Sequence, residues 1–346
     1  MSTTDRQTMN GKPVFTVPAK TIINFKSKFD KKLLCDGITF TAGSACTYSC
    51  AFCYVPDMQR KQQDWFKAHG VQGDHMDVVI RNKDAVELAR KQIESKSWTF
   101  RQQPYVIYSS PKVDVAGNME LVRETVEICK VILTLTNWHI RLLSKSNLLP
   151  VVAKMLHKWN WDGKDINNPN VVTELTASDP VHRVIYGVST GTLDDNLAKA
   201  FEQGTPLVSK RIESLHWLQD NGYRTFGMVC PSLPQDHYDK FAEDMAAALR
   251  YDRMEHVWAE VINARGESFT RTWKALTDGG FHNEAEMLRN VSTDPDAKFW
   301  WEAYAKATFL AHASVCPPSK LRFLQYTTKD TDAWWQLQKP KGAVLL

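Results

Sequence analysis

The sequence predicts a parallel α/β sheet or barrel, and three observations carry that expectation. Strand-like and helix-like segments alternate about six times between residues 37 and 262. Three cysteines crowd into the loop after the first of these strands. The alternation ends near residue 266, beyond which the chain reads as Trp-rich helices and an irregular tail, with Trp300, Trp301, Trp334 and Trp335. These changes divide the chain into a basic N-terminal arm (1–36), an α/β core (37–266) and a helical C-terminal extension (267–346).

Residues 37–43 read as a short strand entering a glycine loop. Ala85, Leu88, Ala89 and Ile93 recur at helical spacing over 83–95. Residues 105–110 read as a buried strand with a polar end, and 119–135 as a helix with Leu121, Val122, Val126 and Ile128 apolar. A strand over 139–145 and a helix over 150–158 follow. Residues 160–181 are rich in Asn, Asp and Pro and read as an insertion. Next come a strand over 184–190 and a helix over 208–220 that Asn221-Gly222 ends. A strand over 225–230 stopped by Pro231, a helix over 236–251 and a strand over 256–262 complete the alternation.

Composition excludes two classes. No stretch approaches the roughly 20 apolar residues that span a bilayer, and residues 1–10 lack a signal-peptide core, so a cytoplasmic protein with no membrane partner is expected. Seven cysteines, three of them within eight residues, argue against a secreted disulfide framework. The net charge of +4 implies nothing by itself. Residues 1–35 hold Arg6, Lys12, Lys20, Lys26, Lys28, Lys31 and Lys32 against Asp5 and Asp30, and read either as a phosphate contact or as a solvated terminus.

The chemistry concentrates in Cys46-Thr-Tyr-Ser-Cys50-Ala-Phe-Cys53-Tyr54. Thiolates spaced by four and three can converge on three corners of a [4Fe–4S] cubane and leave its fourth iron open. That open corner can bind the amino and carboxylate groups of S-adenosylmethionine. A zinc site is the competing reading, with His69 and His75 as distant fourth ligands. Phe52 and Tyr54 fit either an adenine-packing site or a core.

This motif, ahead of about six strand–helix units, resembles the signature of radical S-adenosylmethionine enzymes. Over roughly 37–265 the chain is similar to spore photoproduct lyase and its photolyase-like relatives. The matching stretches are Ser109-Ser-Pro-Lys-Val-Asp-Val-Ala, Arg141-Leu-Leu-Ser-Lys-Ser146, Val188-Ser-Thr-Gly-Thr-Leu193 and Gly227-Met-Val-Cys-Pro-Ser232. Each sits at the carboxyl end of an expected strand, where parallel barrels gather active-site residues. The resemblance implies an open six-stranded (β/α)6 partial barrel with the cluster at its mouth. It also implies an electron donor such as flavodoxin or ferredoxin. Lys145 would pair with the methionine carboxylate, and Ser110 and Ser189 would bond the ribose or amino-acid portion. Glu260, Asn263 and Arg265 end the last strand in a polar cluster that binds cofactor or substrate, or caps the barrel.

The lyase carries a hydrogen-donating cysteine at the end of its second strand. Here that region reads Tyr108-Ser109-Ser110-Pro111, without a thiol. Cys230 either takes over the role or is a small buried hydrophobe. A rearrangement needs no separate donor, because the hydrogen taken from the substrate returns to it. The expected activity is therefore isomerisation of a modified thymine in DNA, such as the glycine-linked thymine of phage DNA. The alternatives are a lyase-like repair reaction and radical modification of RNA, peptide or a small molecule.

Overall fold

The computed structural model describes residues 7–109, 111–160, 178–262, 267–293 and 296–346. Nine strands lie side by side in chain order: β1 (Ile23–Asn24), β2 (Ile38–Phe40), β3 (Val106–Ser109), β4 (His139–Ser144), β5 (Val184–Ser189), β6 (Arg224–Ser232), β7 (Val257–Val261), β8 (Leu321–Gln325) and β9 (Ala343–Leu345). β1 is antiparallel to β2, and every later neighbouring pair is parallel.

Parallel pairing requires a crossover at each step. The crossovers contain α1 (Ala85–Glu94), α2 (Met119–Leu135), α3 (Leu149–Asn160), α4 (Asp195–Phe201) with α5 (Val208–Asp220), and α6 (Tyr238–Leu249). α7 (Glu267–Asp278), α8 (His282–Thr293) and α9 (Ala297–Val315) lead into β8, and α10 (Asp332–Gln336) into β9. Local chemistry sets several starts. The Asn118 carboxamide accepts from the amides of Glu120 and Leu121, and the Asp194 carboxylate from those of Asn196 and Leu197.

The two-residue period of a strand separates the faces of the sheet. Ile107, Leu142, Val188, Val229 and Ala259 join the core beneath the helices. Tyr108, Leu143, Ile185, Phe226, Trp258 and Leu324 form a second cluster on the other face. That face is curled. The Arg141 guanidinium of β4 lies 4.9 Å from the Trp258 ring of β7, whereas three strand spacings in a flat sheet span about 14 Å.

Residues 28–35 fill the amino-terminal half of the curled face. Phe29 packs on Tyr108, Trp258 Nε1 donates to Lys32 O at 2.9 Å, and Arg141 Nη1 donates to the carbonyls of Leu33 and Leu34. Leu34 and Cys35 complete the cluster.

The expected strands all appear, with three differences. The extension is not only helical: it adds β8 and β9 to the six strands β2–β7. β8 mixes Arg322 and Gln325 among its apolar residues, so it lacks the apolar run that marks the core strands. Residues 12–35 are built into the molecule rather than forming a free arm. Lys12–Val17 pairs with Val79–Asn82, which also pairs with Gly43–Ala45, and Ile22, Ile23 and Leu34 are buried. β6 continues through Pro231 to Ser232, and a register shift between Val229 and Ser232 absorbs the missing N–H. Residues 161–177 of the expected insertion lie outside the described residues.

Gly191, just past β5, has a backbone reason to be glycine. A Cβ there would stand 1.8 Å from the Pro231 carbonyl oxygen, so the rims of β5 and β6 can meet only without a side chain.

Candidate functional site

The inward rows of the curled face continue past its apolar cluster to its carboxyl rim. Arg141 and Leu143 lead to Lys145, Ile185 and Gly187 to Ser189, Phe226 and Met228 to Cys230, Trp258 to Glu260, and Leu324 to Tyr326. The same alternation thus brings Lys145, Ser189 and Cys230 to one rim. Ser110, Asn263 and Arg265 lie outside the described residues.

The cysteine loop is fastened on four sides. Ser49–Cys50 pairs antiparallel with Glu202–Gln203. Lys12 Nζ donates to Tyr48 O at 2.9 Å, and the Asp114 amide donates to Cys46 Sγ at 3.4 Å. Arg271 of α7 donates to Ala51 O at 3.1 Å and to Cys53 O at 2.7 Å.

Among the described residues, no three His, Cys, Asp or Glu side chains close around a single metal ion. His69 bonds back to Trp65 O in its own helix. The three thiols lie on one eight-residue loop, within electrostatic reach of one another and of the Lys12 ammonium. This donor set fits a cluster, whose irons occupy separate corners. Burial pushes Cys46 up to about 11, and raises Cys50 and Cys53 as well. Each thiol must therefore shed a proton to become a ligand.

Beside the loop lies a buried charge triad. Lys145 Nζ is 2.6 Å from Glu202 Oε1, and Arg211 Nη1 is 2.5 Å from Glu202 Oε2. Burial alone would raise the Glu202 carboxyl, but the two cations override it and hold it below the usual range. The three side chains sum to one positive charge, and the buried Asp114 carboxylate also lies within electrostatic reach of Lys145. Arg211 is locked by Pro206 O, Ser189 O and Thr205 Oγ1. Lys145, whose ammonium has three donors, is the member that can turn to an anionic ligand. Asp114 fixes its backbone, accepting from the Lys145 amide at 2.8 Å and from Ser144 Oγ at 2.7 Å.

Ser189 Oγ donates to Cys230 O at 3.3 Å, which joins β5 to β6 at the rim. Cys230 Sγ donates to Glu260 Oε2 at 3.6 Å, and burial pushes this thiol well up, so it remains S–H. Glu260 also pairs with Lys32 at 3.3 Å. Tyr54 stands half exposed at the entrance and donates to Pro111 O. Phe52 lies under Lys145, 5.1 Å from ring centre to Nζ. Ser109 is fully buried and donates to Arg141 O at 3.0 Å.

Sequence reasoning missed Glu202, Arg211, Arg271 and Tyr326, and gave Asp114 no role. Asp114 sat inside a matched stretch, and Tyr326 extends an inward row. Glu202, Arg211 and Arg271 left no comparable signal.

No family model and no curated protein matches the sequence. Solved structures do match, and they share the parallel α/β architecture. The fold is that of spore photoproduct lyase. A point variant of that enzyme aligns over 91% of this chain and 82% of its own, at 12% identity and a TM-score of 0.53. A variant holding dinucleoside spore photoproduct covers 81% and 80%, at 9% identity and 0.51. A further variant, with S-adenosylmethionine and the dinucleoside bound, covers 82% and 81%, at 10% identity and 0.50. Among the described residues, no helix is long and apolar enough to cross a membrane.

Proposed function

We propose that the chain is a radical S-adenosylmethionine enzyme that isomerises a modified thymine base in DNA. The observation that carries this is the three-thiol loop fastened beside the Lys145–Glu202–Arg211 triad at the rim of the curled sheet. Cys46, Cys50 and Cys53 would hold a [4Fe–4S] cluster, and Lys145 would receive the methionine carboxylate. Ser189, with Ser110, Asn263 and Arg265, would line the rest of the cofactor site, and Tyr54 would pack the adenine. Residues 37–266 would form the catalytic core, with 1–36 and 267–346 built onto it. When bound, the cluster and S-adenosylmethionine supply a 5′-deoxyadenosyl radical. Flavodoxin or ferredoxin would deliver the electron in the cytoplasm. A DNA substrate is supported by the lyase structures that hold a dinucleoside lesion.

Isomerisation is favoured because Ser109 stands near the lyase's donor position and its hydroxyl is tied to a carbonyl. An O–H bond is too strong to return a hydrogen atom as a thiol does. In an isomerisation the hydrogen removed from the substrate comes back to the same molecule, and no net oxidation occurs. A thiol-terminated, lyase-like reaction has one observation in its favour: Cys230 keeps its S–H inside the same hollow.

Anaerobic reconstitution tests the class. The protein should carry about four irons and four sulfides and form 5′-deoxyadenosine, both lost when Cys46, Cys50 or Cys53 becomes Ala. Tight zinc without iron would sink the reading. Deuterated water separates the two reactions. Isomerisation leaves the product unlabelled, and Cys230→Ala stays active. Solvent deuterium in the product with an inactive Cys230→Ala enzyme would establish thiol termination instead.

A further inference from the structure

We infer that Lys32 and Glu260 form a subsite for a substrate group carrying both an amine and a carboxylate, an amino-acid moiety on the base. This rests on the reading of the chain as a modified-thymine enzyme and narrows its substrate class. Apart from Arg141, the curled face is apolar below its rim, where these two opposite charges sit 3.3 Å apart with side chains 23% and 14% exposed. The Cys230 thiol adjoins Glu260, and the Tyr326 ring lies 5.6 Å from the Lys32 ammonium.

The pair is not needed to hold residues 28–35. Trp258 already grips Lys32 O, Arg141 grips Leu33 O and Leu34 O, and Phe29 packs on Tyr108. The pair is largely buried, so a ligand can open it only by supplying an opposite charge to each partner. What replaces it must leave neither charge stranded in an apolar hollow.

An amine alone would satisfy Glu260 and strand Lys32. A carboxylate or phosphate would satisfy Lys32 and face Glu260 in repulsion. Unmodified thymine offers neither charge. A group with both, such as glycine joined through nitrogen to the thymine methylene, pairs with each partner and keeps the hollow neutral. The methionine end of S-adenosylmethionine has the same chemistry, but its carboxylate is assigned to Lys145, whose partner is Glu202.

The test uses the full chain, reconstituted anaerobically, and single-stranded oligonucleotides that differ at one base. That base is thymine, 5-aminomethyluracil or thymine bearing N-linked glycine on its methyl carbon. Fluorescence anisotropy should show the glycine-bearing strand bound about tenfold more tightly than the thymine strand. Lys32→Met and Glu260→Gln should each bring the strands within about twofold of one another and leave S-adenosylmethionine affinity unchanged. The double exchange Lys32→Glu with Glu260→Lys keeps an ion pair but inverts the subsite. It should retain the thermal midpoint and lose the preference. Equal binding of all strands by the unaltered protein, a preference that survives the exchange, or a fall in S-adenosylmethionine affinity instead would overturn the inference. Failure of the underlying reading registers separately, as no cluster or no 5′-deoxyadenosine with any strand.

Discussion

At the scale of single residues, the buried carboxylate of Glu202 sets what the neighbouring cations can do. Lys145→Ala leaves Glu202 paired with Arg211, so the fold and iron content should persist. S-adenosylmethionine affinity should fall by about 1.5–3 kcal/mol, the range for a hydrogen bond to a charged group. Equilibrium binding of the cofactor to the reconstituted variant measures this. Unchanged affinity would make Lys145 a clasp for Glu202 alone. Lys145 and Ser189 were legible beforehand through the resemblance of their strand-end stretches to the lyase, and Cys230 because it ends an expected strand. Glu202 was not, because its value comes from Lys145, 57 residues away, and from a fully buried Arg211. No local pattern encodes a partnership of that kind.

At the scale of elements, helix α7 reaches across from the C-terminal extension to hold the cysteine loop through Arg271. Arg271→Ala removes the donors of two loop carbonyls, at about 1–3 kcal/mol if those acceptors go unsatisfied. The expected outcome is a chain that folds but loses iron faster to a chelator than the unaltered protein. Equal rates would mean that Lys12 and the Glu202–Gln203 strand hold the loop unaided. The core strands were readable from their apolar runs and the helices from their 3.6-residue spacing. β8 and β9 were not, since they lie in the Trp-rich extension beyond the strand–helix alternation and Arg322 and Gln325 interrupt the apolar run of β8. The role of residues 12–17 was equally hidden, because their partner Val79–Asn82 lies more than 60 residues away.

For the whole molecule, acid should act through buried imidazole. His312 of α9 is fully buried between Phe241 and Tyr251, and burial lowers it from the ordinary 6.5 to about 4. The unfolded chain takes up this proton below about 6.5, and the native state only near 4. Stability is therefore full above pH 6.5 and drains as pH falls towards 4. At about 1.4 kcal/mol per unit, this one residue accounts for about 3 kcal/mol. His256, also lowered to about 4 by burial, acts in the same direction. Urea midpoints at pH 7 and pH 5 should separate more widely for the unaltered protein than for His312→Phe. Equal separations would remove His312 from the account.

Residues 28–35 plug the amino-terminal half of the curled face through Phe29 and the backbone carbonyls of Lys32, Leu33 and Leu34. Lys145, Cys230 and Glu260 stand beyond that plug, at the carboxyl rim. The segment that completes the apolar packing of one half thereby sets the floor on which a ligand of the other half would rest.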